Sequence, residues 1–375
     1  MSELDLGLKV ASRKLLWRMG YTTRLDVQLR GVQQPAQSPG RGSRGSAAPE
    51  AFTDLDVLGF TVAGGFRLQS AIVDCKTSPK GSTSRMFWVR GVADFFDADA
   101  AFMVRKAQLT DAARQLTSRL RISALDTDDL ARLDELHPST LDFATEPLSW
   151  LFRPTTASES LAAFRGLDKR LDPLLEYREF TYWTTEHHHN PMRLVDELAA
   201  VAPHLDHRNP QHLALVFDYA WLYLLALGHA VESVRATHVA DLDRGLQEYL
   251  FGGPTGLNEK RGLAQLLAGI KDAGGMPKTV DVDLLPPYYP RLRELVVRVL
   301  NTPDGLLPTL RLLEFTSTVT ALGRRIETPE EMGGLYDGIA PKRAADVVGF
   351  LVGSAGLDSG FRNRARAQLL GERLE

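Results

Sequence analysis

Around residue 135 the chain changes its hydrophobic period, and no other sequence feature limits the possible folds as much. Before that point, short segments with the period of two expected of half-buried strands alternate with segments of helical spacing. Beyond it strand patterns nearly vanish. Long helical patterns follow, broken by Pro147, Pro154, Pro173, Pro191, Pro203, Pro210, Pro254 and the Pro286-Pro287 pair. A length of 375 residues favours two domains, each able to bury its own core. The expected organisation is an α/β domain over residues 1–135 and a mostly α-helical domain over 136–375.

Within the first part, Leu4, Leu8, Ala11, Leu15 and Met19 recur at steps of three and four, predicting an amphipathic helix that ends at Gly20. Strands are predicted over 21–29, 54–61 and 70–76, the last two joined through Gly64-Gly65 as a hairpin. Residues 31–49 form a Gly/Ser/Pro/Gln/Arg stretch with almost no apolar side chain, read as a flexible loop carrying Arg41 and Arg44. A helix over 82–96 with Trp88, Val92 and Phe95 on one face, a strand over 101–106, a helix marked by Ala113, Leu116 and Leu120, and a short strand over 122–125 complete an α-β-β-β-α-β-α-β order. The most apolar stretch, 213–227, contains Asp218 and falls short of the roughly 20 residues that a bilayer requires. It reads as a buried helix, and no membrane association is expected.

Hydrophobic content of 44% with 24% charged residues is ordinary for a globular chain and argues against disorder or a fibrous fold. The single cysteine, Cys75, excludes an internal disulfide. With an acidic start, Met-Ser-Glu-Leu-Asp, in place of a basic leader, the expected location is the cytoplasm. The net charge of −3 conceals an asymmetry: residues 1–90 hold 13 basic against 7 acidic residues, and the remainder 31 against 40. The N-terminal part is therefore the one suited to a polyanionic partner.

Residues two apart on a strand share a face, so Asp74 and Lys76 project together while Val73 and Cys75 point to the core. The same rule pairs Asp54 with Asp56 on the preceding strand. If the strands are neighbours, Asp56, Asp74 and Lys76 can meet at one end of the sheet. Burying an unpaired carboxylate costs several kcal/mol, so such residues need a cation. Two carboxylates suit Mg²⁺ or Mn²⁺, which lowers the pKa of a bound water and neutralises charge on a phosphate. Lys76 would orient the attacking water or stabilise the transition state.

The helix, the Gly20-Tyr21 turn, the Leu55-Asp56-Val57-Leu58 strand and the Ile72-Val73-Asp74-Cys75-Lys76 strand, then a helix and a strand, resemble the PD-(D/E)XK nuclease superfamily. The similarity is to its restriction-endonuclease-like and Holliday-junction-resolvase-like members, and it covers roughly residues 5–130. It implies a restriction-endonuclease-like αβββαβ core with a mixed sheet, Asp56 and Asp74 as metal ligands, and Lys76 as the catalytic lysine. Many relatives carry a further Glu on the first helix, where this chain has Lys9; Glu3, Asp5 or Glu50 would have to substitute, and Asp54 is another candidate acid. The implied function is a Mg²⁺-dependent DNA endonuclease in restriction or anti-phage defence. The alternatives are a catalytically inactive module that binds nucleic acid or a partner protein, and a repair or recombination nuclease for branched DNA. Arg41, Arg44, Lys80, Arg85 and Arg90, with Lys14 and Arg18, are the candidate phosphate contacts. The helical part would recognise DNA, hold a homodimer or bind a partner protein.

Three further motifs are read as structural. His187-His188-His189 beside Glu186 is expected to fan its side chains apart, making poor joint ligands. The segment Gly252 to Lys260 resembles a phosphate loop only loosely, because Arg261 follows the lysine, and a helix-linking loop is expected. Tyr177, Phe180, Tyr182 and Trp183 near Arg178 are assigned to core packing rather than to base stacking.

Overall fold

The computed structural model describes residues 3–30, 51–78, 82–274, 284–326 and 329–370. The segment 31–49 with Arg41 and Arg44, together with Glu50 and Lys80, lies outside them.

Helix α1 (Glu3–Arg18) precedes three antiparallel strands, β1 (Thr22–Arg30), β2 (Ala51–Ala63) and β3 (Arg67–Lys76). Gly65, at φ +77°, supplies the left-handed backbone that the hairpin between β2 and β3 needs. Parallel neighbours cannot be joined by a tight turn. Accordingly α2 (Ser82–Phe96) carries the chain to β4 (Ala100–Arg105), parallel to β3. Helix α3 (Asp111–Leu120) then leads to β5 (Ser123–Leu125), parallel to β4, and α4 (Thr127–Leu136) follows. The strands lie in the order β1-β2-β3-β4-β5, one mixed sheet. The expected order of elements is present; β2 and β3 run a few residues beyond their expected limits because pairing continues to Ala63 opposite Arg67, while β4 and β5 stay within a residue of theirs.

Alternation decides what each face touches. Val57, Ala71, Val73 and Cys75 pack with Leu8, Leu15 and Leu16 of α1. Leu58, Phe60 and Ile72 belong to the larger core on the other side, with Met86, Val89, Val92 and Ala93 of α2. Of the expected Trp88–Val92–Phe95 stripe, Trp88 and Val92 pack against this core, but Phe95 is 61% exposed, edge-to-face with exposed Phe52 at 5.9 Å. Two apolar stripes overlap on α2, and the sheet selects the one that includes Met86 and Val89.

The helical region runs through α5 (Pro154–Arg165), α6 (Asn190–Val201), α7 (Pro210–Thr237), α8 (Leu242–Leu250), α9 (Pro254–Asp272), α10 (Tyr289–Asn301), α11 (Leu306–Ala321), α12 (Ala340–Ser354) and α13 (Gly360–Leu370). Helix α7 is long and apolar enough to cross a membrane by length and composition, but 94% of its apolar window is buried inside the protein. Burial of each such Leu or Phe contributes about 1.5–3 kcal/mol, which makes α7 the main anchor of the region. It reaches the sheet: Phe60 lies 6.2 Å from Trp221, and Leu68 fits against Gly228, where a Cβ would stand 2.9 Å from Leu68 Cδ1.

Asp218, the charge inside that apolar helix, is paired with Arg24 of β1 and with Arg178. Burial pushes its carboxyl up, but the two guanidinium groups outweigh burial and hold it below the usual range. Of the Gly252–Lys260 segment only Gly252 and Gly253 link α8 to α9; from Pro254 on it forms the first turns of α9, which corrects the expectation of a loop.

Candidate active site

Register brings three carboxylates level. Leu25 and Val27 of β1 pair with Val57 and Leu55 of β2, so Asp26 and Asp56 lie between the paired positions on their strands. Val57 pairs with Val73 of β3, so Asp56 and Asp74 are the next residues along. Asp26, Asp56 and Asp74 therefore form one row across three strands. Asp26 sits at φ +53°, a backbone that Asp tolerates better than most residues.

Like charges in a row need cations, and the protein supplies them. The Lys9 ammonium of α1 pairs with Asp56 Oδ1 at 2.7 Å and also with Asp26. Asp56 Oδ2 accepts from the Cys75 N–H at 2.6 Å. Asp74 is held by the Arg85 guanidinium of α2 through both oxygens, with its Nε at 3.0 Å, and Arg85 in turn lies over the Trp88 ring at 3.3 Å. Lys76 Nζ stands 4.0 Å from Asp74 Oδ1. Both strand carboxylates are buried, Asp56 at 4% and Asp74 at 6% exposure.

Burial raises the Asp56 carboxyl above its ordinary value, Lys9 and the Cys75 N–H oppose the rise, and Asp74 adds to it. For Lys9, burial favours the neutral amine, but Asp56 and Asp26 together overcome it and keep the ammonium charged. Burial pushes the Cys75 thiol up, and the Ser12 hydroxyl lies 3.4 Å from its sulfur. A thiol so disposed is a core group and not a nucleophile.

A cleft of about 520 Å³ opens beside the row, lined by Lys9, Asp26, Gln28, Asp54, Asp56 and Lys76 from the sheet side and by Arg165, Arg178 and Trp183 from the helical region. Of the sequence-predicted residues, Asp5, Asp54, Asp56 and Lys76 line the cleft together. Asp74 adjoins it through Lys76 but is not in its wall. Arg90 pairs with Asp94 on α2, while Lys14 and Arg18 pair with Asp134 of α4, and none of the three lines the cleft.

Sequence reasoning missed Asp26, Arg165 and Arg178 as cleft residues. Asp26 carries the same signal as Asp56, a carboxylate between apolar strand neighbours. The two arginines carry none, because they arrive from far along the chain. Tyr177 and Tyr182 are buried, as the core reading expects, and Trp183 lies between this cleft and a second cavity of about 720 Å³.

The carboxylates of Asp26, Asp54 and Asp56 and the Gln28 amide are oxygen donors of the type a hard divalent cation takes, but among the described residues no three carboxylates of this cleft bring their oxygens within 4.8 Å of one another, so a shared ion would require these side chains to move. Such an ion would displace the Lys9 ammonium from Asp56 or share the carboxylate with it. Comparisons with family models, with curated proteins and with solved structures found no match to this chain. The class that stands on the fold is the coarse one, an N-terminal mixed sheet followed by a mostly helical region.

Removing the ammonium tests this electrostatic account. In Lys9→Met, Asp56 loses the charge that restrains its pKa, so the folded protein binds a proton more tightly than the unfolded chain. Stability should then decline as pH rises from about 4, the unfolded carboxyl value, through the raised folded value. The loss relative to wild type should reach about 3–5 kcal/mol at pH 8 and be smaller at pH 4. Urea unfolding at the two pH values reads the difference, and an equal loss at both refutes it.

Proposed function

We propose that this chain is a metal-dependent phosphodiesterase acting on nucleic acid, with a restriction-endonuclease-like αβββαβ core, and that its expected role is DNA cleavage in restriction or anti-phage defence. The observation that carries the reading is the carboxylate row with Lys76 at the lip of a cleft whose far wall holds arginines.

Mg²⁺ or Mn²⁺, when bound, would supply a water of lowered pKa and neutralise charge on the phosphate. Asp56 and Asp26, which line the cleft, would hold the ion, and Asp74 would join them only if Arg85 released its carboxylate. The Lys76 amine, its side chain 39% exposed, is free to turn toward a scissile phosphate and stabilise charge growing there. Arg165, exposed on the opposite wall, would hold a neighbouring phosphate.

A second reading is a silent module that binds nucleic acid or a partner protein. The pairing of Lys9 with Asp56 and of Arg85 with Asp74 favours it, because both carboxylates already have cations. One assay separates the two: plasmid, linear duplex, four-way junction, single strand and RNA, each with Mg²⁺, Mn²⁺ or EDTA. Ion-dependent cleavage of duplex DNA is the expected result. Preference for the junction would shift the role to repair or recombination, and binding without cleavage in either ion would leave the silent module.

A further inference from the structure

We propose that Glu186, His188 and His189 form a binding site for a borderline divalent transition-metal ion, Zn²⁺ being the one expected, separate from the carboxylate cleft. The ligating atoms of the three side chains lie within 4.8 Å of one another. The expectation that the histidines fan apart, which rested on helix and strand geometry, holds for His187, whose ring turns to His229, and is corrected for His188 and His189. Residues His187–His189 instead form a 3₁₀ turn, closed by the His189 N–H donating to the Glu186 carbonyl at 3.0 Å. With three residues per turn, positions i and i+3 eclipse, so Glu186 and His189 stand one above the other. The His188 ring lies against that of His189, with centroids 3.9 Å apart.

The turn is held on both sides, so the site is largely formed before an ion arrives. On one side the His187 ring stacks on His229 at 3.9 Å. On the other, fully buried Asn190 accepts from the Tyr177 hydroxyl at 2.6 Å and donates to the Tyr182 carbonyl at 3.2 Å. Gly252 makes room for the His188 ring: a Cβ there would lie 3.0 Å from Nε2, and the backbone φ of +75° suits glycine. That leaves His188 Nδ1 turned to Glu186, 3.4 Å from its carboxylate oxygen.

Two imidazoles and one carboxylate select against Mg²⁺ and Ca²⁺, which prefer oxygen throughout. They match the three-ligand zinc pattern that keeps one position open. Glu186 is 79% exposed, so that open position faces solvent.

The test is Zn²⁺ titration of the full chain in competition with a chromophoric chelator, with Co²⁺ absorption reporting the geometry. One equivalent should bind, and His188→Ala or His189→Ala should each weaken binding at least about tenfold, the smallest effect usual for residues that merely support a ligand. Glu186→Gln, a change at an exposed position that leaves the turn intact, should weaken it as well. Asp56→Asn should leave Zn²⁺ affinity unchanged, which keeps this inference apart from the fate of the nuclease reading. No stoichiometric binding, unaltered affinity in both histidine variants, or loss of binding in Asp56→Asn would each overturn the site.

Discussion

Lys76→Ala is expected to stop cleavage while the protein still binds a divalent cation at the carboxylate cleft. The substitution removes an amine at the cleft lip and leaves Asp26, Asp56 and Asp74 in place. If the amine acts chiefly on charge that develops in the transition state, affinity for the ion changes little and the chemical step suffers. Loss of one preorganised group of this kind costs about 10²–10³ in rate, roughly 3–4 kcal/mol. Asp56→Asn should differ, because it removes a carboxylate that faces the cleft and so weakens the cation itself. Calorimetry with Mn²⁺ and a time course on duplex DNA read the two effects separately. Should Lys76→Ala cut at the wild-type rate, the Asp-x-Lys pattern is a coincidence of strand composition and the nuclease proposal goes with it.

Glu314→Ala is expected to be the most destabilising single change in the region where helices meet sheet. The Glu314 carboxylate, 9% exposed on α11, accepts from Arg13 at 2.7 and 3.1 Å, from Trp17 Nε1 at 3.1 Å, and from the Thr22 hydroxyl at 2.7 Å. The Thr23 N–H and hydroxyl add bonds of 2.8 and 2.6 Å. Truncation leaves the Arg13 guanidinium buried without its anion and several donors unmet, a loss of about 3–5 kcal/mol. The paired change Arg13→Met with Glu314→Leu should recover much of that, since a buried ion pair replaced by apolar groups of similar volume is often near neutral. Urea denaturation of the three variants measures both, and a cost below about 1 kcal/mol for Glu314→Ala would mean that solvent already satisfies these groups.

The α-β-β-β-α-β-α-β order was legible in the sequence because each element announces itself within its own length. Leu8 and Leu15 mark the buried stripe of α1, and Gly64-Gly65 marks the hairpin. The two-residue period puts Val73 and Cys75 into the core beside α1 and leaves Asp74 and Lys76 as neighbours, 4.0 Å apart at their charged atoms. Such signals depend on a fixed rise and turn per residue, so spacing alone carries them.

The partners of the charged groups were decided only by the tertiary structure. Lys9 stands between Asp26 and Asp56 because α1 crosses the sheet at that point, and Asp218 sits in an apolar helix because Arg24 and Arg178 converge on it from separate segments. Glu314 meets Arg13 across some 300 residues of chain. Even the histidine run went against a local rule, because whether three residues wind as an α turn or a tighter 3₁₀ turn depends on what clamps them, here His229 and the Tyr177–Asn190 bond. Periodicity determines which face an element buries, but the direction from which another element brings its charge is settled by packing, and packing over such separations leaves no trace in residue spacing.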